Sequence, residues 1–122
     1  MTTLAVLFTA VSLQQGLPPG LLSAICYTES RHTANVVHFN DGKSHSYGIC
    51  QIKLDSARLV GFKGTAKELM IPAINIHYAG LYLKHQLNRY SSIKKAVIAY
   101  NRGHAGDLEE SGYQKRVYKE WL

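Results

Sequence analysis

The first 28 residues of the chain carry no charged side chain, and the first Lys, Arg, Asp or Glu is Glu29. An apolar N-terminus of this kind fits a secretory signal, a membrane span or the first buried helices of a domain. Residues 1–3, Met-Thr-Thr, lack the basic start of a signal peptide. Residues 14–20, Gln-Gln-Gly-Leu-Pro-Pro-Gly, interrupt the apolar run before the roughly 20 residues that a membrane span needs. We therefore expect two buried helices, no stable membrane insertion and synthesis in the cytoplasm without a clear signal peptide.

The composition fits one small globular domain over residues 1–122. The chain is 46% hydrophobic and 18% charged, which supports a packed core and argues against a disordered chain. Cys26 and Cys50 are too few for a disulfide framework and lack the spacing of a zinc site, so we interpret both as small buried hydrophobic residues. The six histidines are scattered and form no pair with metal-binding spacing, so we expect no metal.

Hydrophobic periodicity and capping residues predict a mostly helical domain. The first helix should run from about residue 4 to 15, with Thr2 or Thr3 as its cap, and the second should begin at Pro18-Pro19 and hold Glu29 in its last turn. Further helices are predicted over 54–60, 65–70, 72–90 and 93–102, and along the stripe Tyr113, Val117, Trp121. Between residues 33 and 52 the pattern instead indicates a β-hairpin or an irregular loop, with Asn40-Asp41-Gly42 as the turn.

Glu29 lies on the apolar stripe of the predicted second helix, because Leu22, Ile25 and Cys26 precede it at helical spacing. A carboxyl group among apolar side chains is costly to ionise, so its pKa should rise and make it a candidate general acid. The alternative is a glutamate at a fraying helix end that turns to solvent or pairs with Arg31.

Three short segments occur in one order along the chain: Glu29-Ser30, Tyr47-Gly48-Ile49-Cys50-Gln51-Ile52 and Ala99-Tyr100-Asn101-Arg102-Gly103. Together they resemble the signatures of lytic transglycosylase (goose-type lysozyme-like) domains, over roughly residues 17–121. The resemblance implies a mainly α, lysozyme-like α+β fold, in which a small β-element follows the catalytic glutamate. This sequence departs from the family pattern in three places. Cys50 stands where Met is usual, Arg102 stands where Ala or Gly is frequent, and the stretch from residue 31 to 47 is longer.

The resemblance also implies roles for individual residues. Glu29 would be the catalytic acid and base, Gln51 would line the sugar groove, and Tyr100 and Asn101 would face the glutamate. Tyr100 could donate its phenol to the substrate's N-acetyl group or to Glu29, and its alternative is a core tyrosine. Family members place a hydroxyl near the glutamate, for which Ser44 and Ser46 both qualify, with loop solvation as their alternative. Two further tyrosines, Tyr47 and Tyr113, are expected to contact sugar, with packing in the core as their alternative.

One-carboxylate chemistry suits this sequence better than a two-carboxylate hydrolase, since Asp41 is expected to form a turn and Asp55 to start a helix. The resemblance implies cleavage of the MurNAc-β-1,4-GlcNAc bond of peptidoglycan without a cofactor, leaving 1,6-anhydroMurNAc ends. A hydrolytic lysozyme (muramidase) of the same fold and a catalytically inactive peptidoglycan-binding module are the alternatives.

The net charge of +6 could also suit nucleic acid, with a basic face at Lys94, Lys95, Lys115, Arg116 and Lys119. No nucleic-acid-binding motif accompanies these charges, and the cell wall is an equally good polyanion, so we expect glycan strands as the partner and a monomeric protein. The expected setting is the periplasm or cell wall, as a bacteriophage endolysin or virion-associated lysin, with a secretion-system accessory enzyme as the alternative.

Overall fold

The structure is a computed structural model that describes residues 3–39 and 44–122. Within these residues the chain forms seven helices and three short strands. The elements follow one another as α1 (Leu4–Gln15), α2 (Leu21–Ser30), β1 (Val37–His38), β2 (Ser46–Tyr47), β3 (Ile52–Lys53), α3 (Leu54–Leu59), α4 (Ala66–Leu69), α5 (Pro72–Tyr90), α6 (Ile93–Arg102) and α7 (Gly112–Trp121). The expected mainly helical fold with a small β-element after Glu29 is confirmed.

Local capping chemistry sets the first two helices. The Thr3 hydroxyl accepts the N–H of Val6, and Gly16 ends α1 in the left-handed conformation (φ 63°), as expected for a glycine at that position. The start of α2 differs from the prediction, because the left-handed Gly20 (φ 80°) is its N-cap and the two prolines precede the helix instead of opening it. The Pro19 carbonyl is then free to accept the indole N–H of Trp121, 2.8 Å away, which ties this turn to α7.

The core forms around α2 and α5. Leu21, Leu22 and Ile25 of α2 are fully buried, and α2 packs mainly against α7 while α5 packs against α1 and α6. Gly80 allows α1 to approach α5 closely, since a Cβ at that position would overlap the Val11 side chain. In the part of the chain that the structure describes, no helix is both long and apolar enough to cross a membrane.

The β-element is a three-stranded antiparallel sheet in the order β1-β2-β3. Val37 pairs with Tyr47, and Tyr47 pairs in turn with Ile52 on the other side. The third strand is an addition to the predicted hairpin, and it leads directly into α3. The predicted turn at Asn40-Asp41-Gly42 lies outside the described residues.

Cys26 and Cys50 form a disulfide, so the prediction that they are separate hydrophobic residues was wrong, although both are buried as expected. The sequence separation of 24 matches no local cysteine motif. Only the packing of α2 against the turn that joins β2 to β3 brings their Cα atoms to 4.1 Å. The disulfide therefore links the helix that carries Glu29 to the segment that carries Gln51.

Candidate active site

Glu29 occupies the last turn of α2, where its partly buried side chain faces a cavity of about 160 Å³. Burial raises the pKa of its carboxyl group from 4.5 to about 7, and this effect outweighs the opposing influences of Tyr113, Arg116 and Lys53. The alternative in which Glu29 turns to solvent or pairs with Arg31 does not hold, because its carboxylate accepts a hydrogen bond from α7 instead.

Tyr113 supplies that hydrogen bond, with its hydroxyl oxygen 2.8 Å from Oε2 of Glu29. Tyr113 stands in the first turn of α7 and is buried. Burial, followed by the nearby Glu29 charge, holds the pKa of its phenol well above the ordinary value, so the phenol remains a donor. Sequence reasoning placed Tyr113 against sugar, whereas the structure places it directly on the expected catalytic carboxyl group.

Tyr100, expected beside Glu29, lines the same cavity from α6. Its hydroxyl donates to the backbone carbonyl of Cys50 at 2.8 Å and makes no hydrogen bond to Glu29. The donation to Glu29 that the sequence suggested is therefore absent, because a buried carbonyl without a partner would be costly and the phenol satisfies it. Burial and then the Glu29 charge raise the pKa of Tyr100 well above its usual range.

Gln51 lies on the cavity wall in a left-handed backbone conformation (φ 50°). Its side-chain Nε2 donates to the carbonyls of Val36 at 2.9 Å and of Gly48 at 2.8 Å. This arrangement fixes the amide so that the nitrogen faces the protein. Among the described residues, the Oε1 of Gln51 accepts no hydrogen bond, and this atom is buried.

The cavity brings together five of the residues that sequence reasoning selected: Glu29, Ser46, Gln51, Tyr100 and Asn101. The rest of its wall consists of Ile52, Lys53, Ser56, Tyr82 and Gly103. Three of the predicted residues do not line it: Tyr113, which contacts Glu29 from α7, and Ser44 and Tyr47. The Ser44 hydroxyl accepts a hydrogen bond from the N–H of Asp55 at 3.5 Å. The ring of Tyr47 packs against the core and lies near the ring of His45.

Asn75 holds the turn at Gly48–Gln51 in place, a role that sequence reasoning missed. Its Oδ1 accepts the N–H of Cys50 at 2.8 Å, and its Nδ2 donates to the carbonyls of Tyr47 at 2.8 Å and Leu69 at 2.7 Å. Gly48 is required beside it, since φ is +77° and a Cβ would lie 2.5 Å from Nδ2. The sequence does carry one signal for a buried amide, because Asn75 lies between Ile74 and Ile76 in the predicted helix.

Two cations near Glu29 were also missed. Lys53 lines the cavity and Arg116 lies on α7, and both lower the pKa of Glu29. Lys53 is the last residue of β3 and lies two residues after Gln51. Arg116 follows Tyr113 by one turn of α7. Asp55, by contrast, starts α3 as predicted and does not line the cavity. Across residues 3–39 and 44–122, no three His, Cys, Asp or Glu side chains group as metal ligands would.

Comparison with known proteins places this site in a family context. The model of the transglycosylase SLT domain family matches residues 7–121. The chain is 31% identical over 110 residues to protein IpgF of Shigella flexneri, covering 87% of this chain and 72% of that protein, and the IpgF protein of Shigella sonnei matches equally.

A solved structure of similar fold is that of an inactive Glu-to-Gln mutant of the lytic transglycosylase Slt from Pseudomonas aeruginosa. It has a TM-score of 0.67 and 18% sequence identity to this chain. The likeness covers 93% of this chain but spans only 19% of the Slt chain, and at this identity it shows the fold alone. The family match over residues 7–121 carries the assignment: the chain belongs to the transglycosylase SLT domain family.

Proposed function

We propose that this chain is a peptidoglycan lytic transglycosylase that cleaves the MurNAc-β-1,4-GlcNAc bond with Glu29 as its single general acid and base. The observation that carries the proposal is the carboxyl group of Glu29, which faces an open cavity and has a pKa of about 7. A carboxyl group with this pKa is protonated in part at neutral pH and can also serve as a base after it has given up its proton.

The proposed reaction uses both forms of Glu29. The protonated carboxyl group donates its proton to the glycosidic oxygen as the bond to the muramic anomeric carbon breaks, while the substrate's own N-acetyl oxygen assists at that carbon. The resulting carboxylate then takes the proton of the muramic 6-hydroxyl, whose oxygen attacks the anomeric carbon and displaces the N-acetyl oxygen. The products are a GlcNAc end and a 1,6-anhydroMurNAc end, and Glu29 is protonated again.

Tyr113 supports this cycle because its hydroxyl is positioned to donate to the carboxylate that forms after proton transfer. The positive charges of Lys53 and Arg116 also favour that carboxylate. They keep the pKa of Glu29 near neutrality against the larger effect of burial. The same group can therefore act as an acid and then as a base.

The cavity wall suits a one-carboxylate route. Glu29 is the sole carboxylate among the described residues that line the cavity, and Asp55 lies outside it. Neutral polar groups and one cation make up the remaining polar lining, from Ser46, Gln51, Lys53, Ser56 and Asn101. Ser46 and Asn101, which line the cavity, would contact hydroxyl or acetamido groups of a bound sugar.

The charge distribution favours a cell-wall substrate over nucleic acid. Lys94, Lys95 and Lys115 form ion pairs with Glu109 and Glu110, so acidic side chains interrupt the basic face that a nucleic acid would need. Acidic side chains of the segment before α7 therefore lie beside the lysines of α6 and of the first turn of α7. We keep peptidoglycan strands as the proposed partner, bound by a monomer.

We also propose that the enzyme acts in the periplasm or cell wall. The Cys26–Cys50 disulfide supports this, because such bonds form and persist in oxidising compartments and are rare in the cytosol. The curated relatives are Shigella proteins, so a phage lysin stays a prediction from the sequence.

Mass spectrometry of the soluble fragments released from purified sacculi tests the proposed reaction. A lytic transglycosylase should release muropeptides that are one water lighter than those from a hydrolytic lysozyme run in parallel. Products with ordinary reducing ends would instead establish the muramidase alternative. An unchanged sacculus that still binds the protein would establish the inactive binding module.

A further inference from the structure

One face of the three-stranded sheet carries a row of polar side chains that continues the wall of the catalytic cavity. Ser46 of β2 lies directly opposite His38 of β1 and, on its other side, directly opposite Lys53 of β3. Side chains at directly opposite positions of antiparallel strands point to the same face of the sheet. Ser46 and Lys53 line the cavity beside Glu29, so His38 lies on the same face next to it. We call the three residues His38, Ser46 and Lys53 the polar row.

The other face of the sheet packs against the core. Tyr47, the neighbour of Ser46 in β2, contacts the core residues. Successive residues of a strand alternate between the two faces, so the polar row is turned away from the core. His38 is exposed, and Ser46 and Lys53 are half-buried. A ligand that extends beyond the cavity can therefore reach all three side chains.

The ammonium group of Lys53 lacks a counter-ion. Within residues 3–39 and 44–122 it forms no ion pair, unlike the lysines of α6 and the start of α7. It is also the sole cation among the described residues that line the cavity. A half-buried ammonium group favours an anion as its ligand. The form of Glu29 that begins the proposed reaction is protonated and neutral, so the anion should come from the substrate.

The proposed reaction, on which this inference rests, restricts where the substrate can carry that charge. The muramic 6-hydroxyl attacks the anomeric carbon, so it must be free and cannot carry a phosphodiester. The N-acetyl group is neutral and assists the reaction. The remaining substituent of muramic acid is the lactyl group on its 3-oxygen. Its carboxyl group is a carboxylate when no peptide is attached and a neutral amide when a peptide is attached.

We propose that the polar row binds the free lactyl carboxylate of muramic acid, so that the enzyme prefers glycan strands whose peptides have been removed. Lys53 pairs with the carboxylate, and the Ser46 hydroxyl and the His38 imidazole donate hydrogen bonds to its oxygens. An amide at the same place carries no charge and leaves Lys53 without a counter-ion. The preference is about tenfold, so the peptide-bearing strands of sacculi remain substrates. A reaction that hydrolyses the lactyl amide bond supplies the preferred substrate.

Two glycans that differ only at the lactyl group test the proposal. One is peptide-free glycan with free lactyl carboxylates, and the other is the same glycan after conversion of these groups to methylamides. We expect kcat/KM of the wild type to be about tenfold higher on the carboxylate form. The ratio should fall toward one in Lys53→Gln and be retained in Lys53→Arg. Lys63→Gln removes an exposed lysine outside the cavity and should leave the ratio unchanged.

The ratio separates binding of the lactyl group from the effect of Lys53 on Glu29. A change in the pKa of Glu29 alters kcat/KM on both glycans alike. An unchanged ratio in Lys53→Gln would therefore overturn the proposal, and so would equal kcat/KM of the wild type on the two glycans.

Binding to the Glu29→Gln protein tests the polar row without catalysis. The probe is a tetrasaccharide of alternating GlcNAc and MurNAc, titrated by NMR as the free acid and as the methylamide. The free acid should bind about tenfold more tightly, and His38→Ala should narrow this difference. A preference for the free acid in a protein whose wild type cleaves no glycan would refute the proposed function and leave the polar row standing. Cleavage of glycan together with equal binding of the two forms would refute the polar row alone.

Discussion

At the scale of single residues, the chemistry of this protein depends on the surroundings of Glu29. Burial raises the pKa of its carboxyl group to about 7, and one phenol and two cations oppose the rise. Each of these contacts can be altered separately. The resulting changes in pH dependence and stability distinguish a catalytic carboxyl group from one that merely fills the end of α2.

Tyr113→Phe should move the alkaline limb of kcat/KM to higher pH by about one unit. The hydroxyl of Tyr113 favours the carboxylate form of Glu29, so its loss raises the pKa of Glu29 further and keeps the acid protonated at higher pH. The measurement is a pH–rate profile from pH 5 to 9. Tyr118→Phe, on the same helix, is the matched control. Alkaline limbs that fall at the same pH in both variants would contradict the role assigned to Tyr113.

Glu29→Gln should stabilise the folded chain at alkaline pH. The pKa of Glu29 is higher in the folded state than its ordinary value of 4.5, so the folded state binds the proton more tightly and wild-type stability falls between pH 4.5 and 7. The glutamine carries no such penalty. The difference in unfolding free energy should therefore grow across this window to at most about 3 kcal/mol. Urea titrations at pH 4 and 8 measure it, and a pH-independent difference would argue against the raised pKa.

At the scale of secondary-structure elements, the sequence predicted what local chemistry determines. The bounds of α1 and α5 agree with the prediction, and α4 begins with a capping box formed by Thr65 and Glu68. Contacts between distant parts of the chain were beyond such reasoning. The Tyr113–Glu29 hydrogen bond spans 84 residues, and the Cys26–Cys50 disulfide depends on how α2 meets the turn after β2. Neither leaves a periodic signal in the sequence.

The turn between β2 and β3 depends on α5 through Asn75. Asn75→Ala removes three hydrogen bonds, from the Cys50 N–H and to the Tyr47 and Leu69 carbonyls. The free energy of unfolding should fall by about 3 kcal/mol or more, because each buried unpaired group costs roughly 1–3 kcal/mol. Chemical denaturation measures the loss. Asn88→Ala, an exposed position of the same helix, should change stability by less than about 0.5 kcal/mol.

At the scale of the whole molecule, the uncharged first 28 residues include α1 and most of α2, the helix that carries Glu29. The 14 basic and 8 acidic side chains all follow them, so the net charge of +6 is carried by residues 29–122. The Cys26–Cys50 disulfide joins these two regions of the chain. Ser30 adds a second link between α2 and the turn after β2, since its hydroxyl donates to the Ile49 carbonyl at 2.6 Å.

Reduction of the disulfide should lower the free energy of unfolding by about 3 kcal/mol, since the bond closes a loop with a sequence separation of 24 and so limits the unfolded chain. Calorimetry with and without reductant measures the effect. The Cys26→Ala/Cys50→Ala double variant should melt at a lower temperature than the oxidised wild type, and reductant should not change its melting temperature. An unfolding curve of the wild type that is unaffected by complete reduction would contradict this prediction.

The central claim is that Glu29 performs the chemistry, and the release of soluble muropeptides from sacculi by Glu29→Gln tests it most directly. The amide cannot deliver the proton, so turnover should fall by at least about 100-fold, while circular dichroism and the melting temperature show an intact fold. The wild type, prepared and oxidised in the same way, provides the reference rate. A Glu29→Gln protein that releases muropeptides within a few-fold of that rate would contradict the account.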